Sequence, residues 1–184
     1  MIDYAKLRFQ KLEQDTPLDS FHSSDDDLNS FLLEEAKDYQ AELLSVTYLV
    51  YYEGQLAAYY SLLNDVVRLE EAEKPVRNRI NRKIPYTKQR NHYAAAKIGR
   101  LAVDTRFARQ GVGEFILNNI CIMLLTGNKL GCRFLTVDAV AAATGFYEAK
   151  GGFRFFTSQD EGDDTRLMYF ELKDFVTPET ILKI

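Results

Sequence analysis

One short segment carries the residue types and spacing that point most directly to chemistry. Arg109-Gln110-Gly111-Val112-Gly113 places a Gly-x-Gly between a predicted strand and a predicted helix. Such glycines let the backbone pass close to a bound anion, and the first amides of the helix point at that anion with the favourable end of the helix dipole. Arg109 adds positive charge there. The segment predicts a phosphate-binding loop, although a Gly-x-Gly alone more often marks a turn or close packing.

The loop matches neither the G-x-G-x-x-G dinucleotide fingerprint nor the G-x-x-x-x-G-K-[ST] phosphate loop, so the pyrophosphate of a different cofactor is expected. The chain has few histidines and cysteines with which to build a metal site or a hydrolase triad. The chain has two histidines, His22 and His92, and two cysteines, Cys121 and Cys132, in apolar contexts. These spacings suggest no metal site, Ser-His-Asp triad or disulfide, and they predict reduced core thiols.

The elements that must position this loop alternate between helices and strands. Apolar residues at three- and four-residue steps after Asp25 predict a helix to about Leu44, with a buried stripe that includes Tyr39 and Leu43. The other predicted elements are a hairpin over 47–63 that turns at Glu53-Gly54, a strand over 94–103, a helix from Gly113 to Gly127-Asn128, a strand over 133–140, a helix over 142–150 and strands near 153–156 and 167–171. The pattern predicts a mixed α/β fold.

Bulk properties favour one soluble domain over residues 1–184. Hydrophobic residues make up 46% and charged residues 27%, which excludes disorder as the default state. No apolar run of about 18 residues or more predicts a membrane span, and charges at Asp3, Lys6 and Arg8 replace the apolar stretch of a signal peptide, so we expect a cytoplasmic protein with no membrane partner.

Charge is distributed unevenly along the chain. The net charge of −4 argues against general nucleic-acid binding, yet residues 74–103 contain no Asp or Glu and nine Lys or Arg. Pro75 and Pro85 interrupt any clean period there. We predict a basic insertion or helix-containing excursion over residues 66–92. It is either a solvated basic loop or a surface for an RNA backbone.

Three segments together resemble the core of the GNAT (Gcn5-related) N-acetyltransferases: Ile98-Gly99-Arg100-Leu101-Ala102-Val103-Asp104, then Gln110-Gly111-Val112-Gly113, then Gly145-Phe146-Tyr147-Glu148. The resemblance implies a central, mixed but mostly antiparallel sheet flanked by helices, with a V-shaped splay between the strands near 94–103 and 133–140. It also implies binding of acetyl-CoA as co-substrate, with no metal.

The resemblance assigns roles to individual residues. Backbone groups of Leu101, Ala102 and Val103 would hold the pantetheine arm. The cofactor site would also include Phe146, and the loop Arg109, Gln110, Gly111, Val112 and Gly113 would bind the pyrophosphate.

Tyr147 would be the catalytic residue, protonating the departing thiolate. A phenol with a pKa of about 10 suits a thiol with a pKa of about 8.5. The alternative is a buried tyrosine with a hydrogen-bonded hydroxyl.

Two departures from the family pattern stand out. Ala108 occupies the place where the family usually has Gln or Arg, with Arg109 one position later, which indicates shifted pyrophosphate contacts. The run from Phe146 to Phe153 contains one extra residue at Gly151-Gly152, so the following strand is expected to start late.

Residues 18–21, 28–32 and 59–62, together with 100–104, are more specifically similar to the GNAT toxins that acetylate the amino group of aminoacyl-tRNA. The strand over 94–103 contains no carboxylate to act as a base, and Asp104 and Asp138 just beyond strands suit bracing equally well. An α-amino group, with a pKa of about 7.7 to 8.0, needs less help to lose its proton than a lysine side chain at about 10.4. Because the sequence shows no obvious general base, an α-amine is favoured over a lysine side chain as the acceptor.

Three functions follow as alternatives. The first is transfer of acetyl from acetyl-CoA to a primary amine of a small molecule or protein, by direct attack on the thioester. The second is the aminoacyl-tRNA toxin, with an antitoxin partner. The third is a non-catalytic acyl-CoA-binding module, which Ala108 favours. A homodimer is a family-level expectation.

Overall fold

In the computed structural model, which describes residues 2–18, 21–126 and 131–175, the strands form a seven-stranded sheet. Within these residues the strands are β1 (Leu7–Lys11), β2 (Val46–Tyr52), β3 (Gln55–Arg68), β4 (His92–Val103), β5 (Phe134–Val140), β6 (Arg154–Phe155) and β7 (Thr165–Glu171). Their order is β1-β2-β3-β4-β5-β7-β6, and the pairings β1–β2, β2–β3, β5–β7 and β6–β7 are antiparallel. The predicted mixed α/β class with a mostly antiparallel sheet is confirmed.

The α-helices of the described residues are α1 (Asp26–Ser30), α2 (Ala36–Ala41), α3 (Lys74–Arg82), α4 (Val112–Thr126) and α5 (Thr144–Gly151). A π-helical turn, Phe31–Glu35, joins α1 to α2. The predicted end of the fourth helix at Gly127-Asn128 lies outside the described residues.

The chain divides into two compact units. The first unit contains residues 1–63 and 98–118, and the second contains residues 64–97 and 119–184. Strands β3 and β4 and helix α4 contribute residues to both. A single domain over 1–184 therefore stays a prediction, and so does the V-shaped splay, because its residues belong to both units.

The first unit is built around the β2–β3 hairpin. Its turn, Glu53-Gly54, has φ values of +47° and +82°, which suit the right-handed twist of a two-residue hairpin. The apolar side chains of α1, the π turn and α2 pack against the hairpin in a core that also includes Ala102 of β4. The buried members of this core are Leu12, Leu18, Phe21, Phe31, Leu32, Ala36, Leu49, Leu56, Tyr59 and Ala102.

The first helical segment is shorter and less regular than predicted. Asp25 caps it as expected, since its side chain accepts hydrogen bonds from the amides of Asp27 and Leu28. The helix ends at Ala41, Leu43 is 92% exposed with φ of +59°, and Tyr39 is 39% exposed, so the predicted places of both residues in the buried stripe are wrong. The π turn adds a residue to one turn and shifts the phase of the stripe.

The second unit packs α3 onto strands β3, β4, β5 and β7. Its core contains Val67, Leu69, Ala72, Ile80, Ile84, Ala95, Phe134, Phe156 and Tyr169. The basic excursion is helix-containing, as predicted, but β3 extends to Arg68 and β4 already begins at His92, so the segment between the strands is shorter than 66–92. The ladder pairing explains why: Leu69 donates its amide to the Asn91 carbonyl at 2.7 Å.

Candidate active site

The loop between β4 and α4 begins at a buried carboxylate. Asp104 is 1% exposed and accepts hydrogen bonds from the amide of His22 at 2.9 Å and from the amide and Nε of Arg106 at 2.9 and 2.7 Å. Burial acts to raise the pKa of Asp104, but the hydrogen bonds from Arg106 and His22 outweigh it and lower the pKa. With its oxygens occupied by these donors, Asp104 braces the loop.

The backbone of the loop turns through two residues with positive φ. Arg109 has φ of +57° and Gly111 has φ of +82°, and both are exposed. Val112 is 1% exposed and begins α4, which fixes the loop to the core. A left-handed conformation costs a residue such as Arg109 about 1 kcal/mol, so the surrounding contacts must hold it there.

The first turn of α4 follows the loop directly, so its backbone amides lie at the positive end of the helix dipole. The amide of Phe115 donates to the Gly111 carbonyl at 3.0 Å, and the amides of residues 112 and 113 precede it in the first turn of the helix. These donors and the helix dipole suit an anionic group. Gln110, Gly111, Val112 and Gly113 therefore fit the pyrophosphate that the resemblance predicts, and the exposed Arg109 side chain adds a positive charge.

Sequence reasoning missed one residue, Tyr4, that contacts this loop from the N-terminal part of the chain. The hydroxyl of Tyr4 donates to the Gln110 carbonyl at 3.0 Å, and the Tyr4 ring stacks on Phe115 with centroids 4.9 Å apart. A Cβ on Gly111 would overlap the Tyr4 hydroxyl, so this close approach also requires glycine. No sequence signal points to Tyr4, because 106 residues separate it from Gln110.

The residues predicted to hold the pantetheine arm lie at the end of β4. Ala102 is 4% exposed and belongs to the core of the first unit, while Leu101 and Val103 are half-buried. Since side chains alternate along a strand, Leu101 and Val103 share the face opposite Ala102. The first unit therefore holds Leu101, Val103 and the loop in one short run of chain.

Phe146 and Tyr147 lie on α5 of the second unit. Tyr147 is 6% exposed, and its ring contacts those of Phe146 and Phe153 at centroid distances of 5.2 and 5.4 Å. Burial raises the pKa of Tyr147 to about 12. The phenol is thus protonated throughout the physiological range, as an acid must be.

The extra residue after Tyr147 is absorbed at the end of α5. Gly152 adopts φ of +66° and caps the helix with its amide donating to the Tyr147 carbonyl, and Phe153 donates to the same oxygen at 3.0 Å. Strand β6 follows at Arg154, one residue later than the predicted start.

The basic excursion divides into paired and exposed charges. Lys83 forms ion pairs with Glu171 at 3.1 Å and Asp174 at 2.6 Å, so its charge is compensated within the second unit. Six other cations of the segment are exposed: Lys74, Arg77, Arg79, Arg82, Lys88 and Arg90. These carry the net positive charge of the segment.

The described residues contain no group of three or more His, Cys, Asp or Glu side chains arranged to hold a metal ion. None of the helices in those residues is long and apolar enough to span a membrane. Within the described residues both cysteines are free thiols; Cys121 is buried as predicted for a core residue, whereas Cys132 is half-buried.

Comparison with known protein families identifies the class of protein to which the chain belongs. The sequence model of the Acetyltransferase (GNAT) domain family matches residues 75–173, more than half of the chain. The chain belongs to this family and is an N-acetyltransferase; the family uses acetyl-CoA. A comparison with curated proteins found no match.

Solved toxins of the same fold resemble the chain along most of its length. A tyrosine-to-phenylalanine variant of KacT has a TM-score of 0.73 and 20% identity, covering 92% of this chain and 96% of its own. AtaT complexed with acetyl-methionyl-tRNAfMet has a TM-score of 0.74 and 21% identity, with coverage of 91% and 96%. A variant of AtaT bound to acetyl-CoA and the C-terminus of the antitoxin AtaR has a TM-score of 0.70 and 20% identity, with coverage of 91% and 94%. At these identities the likeness establishes the fold.

Proposed function

We propose that the chain transfers the acetyl group of acetyl-CoA directly to a primary amine. The loop before α4 carries the proposal: Gly111, with φ of +82°, and the first-turn amides of residues 112 and 113 form an anion-binding turn at the place where the family binds pyrophosphate. Backbone groups of Leu101, Ala102 and Val103 hold the pantetheine arm, and Phe146 packs against the cofactor. The co-substrate supplies an activated acyl group as a thioester.

Tyr147 is the proton donor in this proposal. The amine nitrogen attacks the thioester carbonyl carbon, a C–N bond forms, and the C–S bond breaks. The Tyr147 hydroxyl gives its proton to the departing sulfur, and the amine releases one proton that restores the phenol. A hydroxyl whose pKa lies near 12 is a weaker acid than an ordinary phenol, so it gives up its proton only as the C–S bond breaks and negative charge develops on the sulfur.

The acceptor that the observations favour is the α-amine of an aminoacyl-tRNA. Asp104 is engaged in bracing the loop and is unavailable as a base, so an amine that is already partly neutral at pH 7 reacts more readily than a lysine side chain. The exposed cations Lys74, Arg79 and Lys88 suit an RNA backbone. AtaT, a protein of the same fold, has been solved with an acetylated aminoacyl-tRNA.

The toxin form of this function includes two further proposals, an antitoxin that binds the chain and a homodimer. The AtaT structure with AtaR supports the first by analogy of fold. Light scattering of the purified chain tests the second.

The experiment that tests the function measures thiol release from acetyl-CoA. Free amino acids, a lysine peptide and charged tRNA are offered separately to wild type and Tyr147→Phe. Turnover with charged tRNA that depends on Tyr147 supports the toxin, and turnover with another amine supports the general transferase. Tight binding of acetyl-CoA without thiol release from any acceptor would identify a non-catalytic acyl-CoA-binding module instead.

A further inference from the structure

A polar cavity lies on the sheet of the second unit, apart from the residues assigned above. It has a volume of about 140 Å³, which is more than a single water needs. Its polar lining comes from adjacent strands: Asp65 of β3, Lys97 of β4, and Thr136 and Asp138 of β5, with Tyr169 of β7 beside them.

The cavity begins where three strands, β3, β4 and β5, change from apolar to polar residues. Val67, Ala95 and Phe134 belong to the core that α3 covers, and two residues further along each strand stand Asp65, Lys97 and Thr136. Thr136 pairs with Tyr169 across β5 and β7, so their side chains share this face. The polar row therefore forms a separate hydrophilic patch beside the apolar core on this face.

The charges in the cavity do not balance. Lys97 Nζ lies 2.7 Å from Asp138 Oδ2 and 3.7 Å from Asp65 Oδ2, so two carboxylates share one ammonium. Asp65 Oδ2 also accepts a hydrogen bond of 2.5 Å from Thr136 Oγ1. Arg68 and Glu71, which also line the cavity, form their own ion pair at 4.0 Å. One negative charge is therefore left over, which favours a cationic ligand.

Tyr169 supplies an independent sign of a ligand. Its side chain is 0% exposed, it lines the cavity, and its hydroxyl has no hydrogen-bond partner within the described residues. Its ring is held by Phe134 and Phe156 at centroid distances of 6.2 and 5.7 Å. A buried hydroxyl without a partner is costly, and a polar ligand atom would remove that cost.

We propose that this cavity binds the amine-bearing head group of the acceptor. The acceptor binds as an ammonium against Asp65 and Asp138, and one of these carboxylates takes the proton that it must lose before the neutral amine attacks. The carbonyl next to it accepts a hydrogen bond from the Tyr169 hydroxyl. The proposal rests on the proposed function, which requires an amine. Lys97 stands on β4 four residues before Leu101, the first residue of the predicted pantetheine contact.

Binding of a small acceptor mimic, without acetyl-CoA, tests the cavity directly. The probe is L-alaninamide, which has the ammonium and the adjacent carbonyl, and its matched control is N-acetyl-L-alaninamide, which lacks the charge. In NMR titrations the probe should bind wild type at least about tenfold more tightly than the control, the equivalent of about 1.4 kcal/mol. Equal binding of the two compounds would overturn the proposal.

Three variants locate the binding. Tyr169→Phe and Asp138→Asn should each weaken L-alaninamide binding about three- to tenfold, whereas Tyr48→Phe, which removes a hydroxyl from the first unit, should not. Thermal unfolding shows that each variant is folded. Unchanged affinity in both Tyr169→Phe and Asp138→Asn would sink the proposal even if wild type binds the probe.

Kinetics separate this proposal from the proposed function. Tyr169→Phe should raise the KM for the acceptor and leave the KM for acetyl-CoA unchanged. If Tyr169→Phe turns over with an acceptor KM equal to that of wild type, the cavity does not bind the acceptor, but the proposed transferase function stands. If L-alaninamide binding depends on Tyr169 but the protein releases no thiol from acetyl-CoA, the cavity binds amines and the transferase function is refuted.

Discussion

The Tyr4 hydroxyl donates its hydrogen bond to the carbonyl oxygen of Gln110, the residue just before Gly111. The Tyr4 ring is nearly parallel to that of Phe115, with an angle of 8° between the ring planes. An N-terminal side chain thus holds both the loop and the first turn of α4. The shape of the proposed pyrophosphate loop depends on this contact.

Gly111→Ala should weaken acetyl-CoA binding about tenfold, or about 1.4 kcal/mol. The new Cβ is strained at a φ of +82° and displaces the Tyr4 hydroxyl from Gln110. Isothermal titration calorimetry measures the Kd. Gly54→Ala is the matched control, because Gly54 has the same φ of +82° but open space around it, and it should leave the Kd unchanged.

In a Tyr4→Phe background, Gly111→Ala should weaken acetyl-CoA binding less than it does in wild type. The phenylalanine ring lacks the hydroxyl that the new Cβ would overlap. A double-mutant cycle with the four Kd values measures the difference. Strict additivity of the two substitutions would show that Tyr4 and Gly111 do not act together.

Tyr147→Phe should lower kcat by about 10²-fold while the Kd for acetyl-CoA stays the same. Only the hydroxyl is lost, and the ring keeps its contacts with Phe146 and Phe153. Single-turnover thiol release and calorimetry measure the two quantities. Tyr48→Phe is the control. A full-rate Tyr147→Phe enzyme would mean that another group protonates the sulfur.

The pH dependence provides a separate check on Tyr147. Its acid form is the protonated phenol, which is present below the pKa, and burial raises that pKa to about 12. The rate should therefore show no alkaline decline attributable to Tyr147 up to about pH 10, where an ordinary tyrosine would be half ionised. A wild-type decline centred near pH 10 that disappears in Tyr147→Phe would contradict this.

Asp104→Asn should destabilise the protein by about 2 kcal/mol at pH 7, because the amide cannot accept all the hydrogen bonds from His22 and Arg106. The folded-state pKa of Asp104 is lowered, so its contribution is complete above the unfolded-state pKa and is lost as the pH falls through the folded-state pKa. Urea unfolding at pH 7 and pH 3 measures both.

The exposed Asp26→Asn is the control for that series, and it should change the unfolding free energy by less than about 1 kcal/mol. A difference between wild type and Asp104→Asn that grows as the pH falls would reverse the expected sign.

The basic segment has its own test if tRNA is the acceptor. Arg79→Gln with Lys88→Gln should weaken tRNA binding and lower the slope of log Kd against log salt by about 1 for each lost phosphate contact. Filter binding over a range of salt concentrations measures the slope. Lys11→Gln with Lys173→Gln removes the same charge elsewhere from exposed positions. If the two double variants show equal slopes of log Kd against log salt, the basic segment does not contact tRNA and is a solvated loop.

Local sequence signals predicted most of the elements, because each depends on neighbouring residues. Asp25 marks the start of α1 because its side chain caps the helix. Glu53-Gly54 marks the hairpin turn and Gly152 the end of α5 because these residues adopt positive φ. The end of the first helical segment was predicted wrongly. A π turn shifts the helical phase through tertiary packing, and a 3.6-residue period cannot reveal it.

The sequence by itself determined the class of protein and the order of its chemistry: a strand, a glycine loop and a helix, followed by Phe146 and Tyr147. These are short runs of chain whose residue types carry the signal. Only the tertiary structure decided that Tyr4 supports the loop, that Asp104 is a brace, and that Asp65, Lys97, Asp138 and Tyr169 line one cavity. Each of these depends on residues far apart in the chain, and strand register and burial, which bring them together, are properties of the folded sheet.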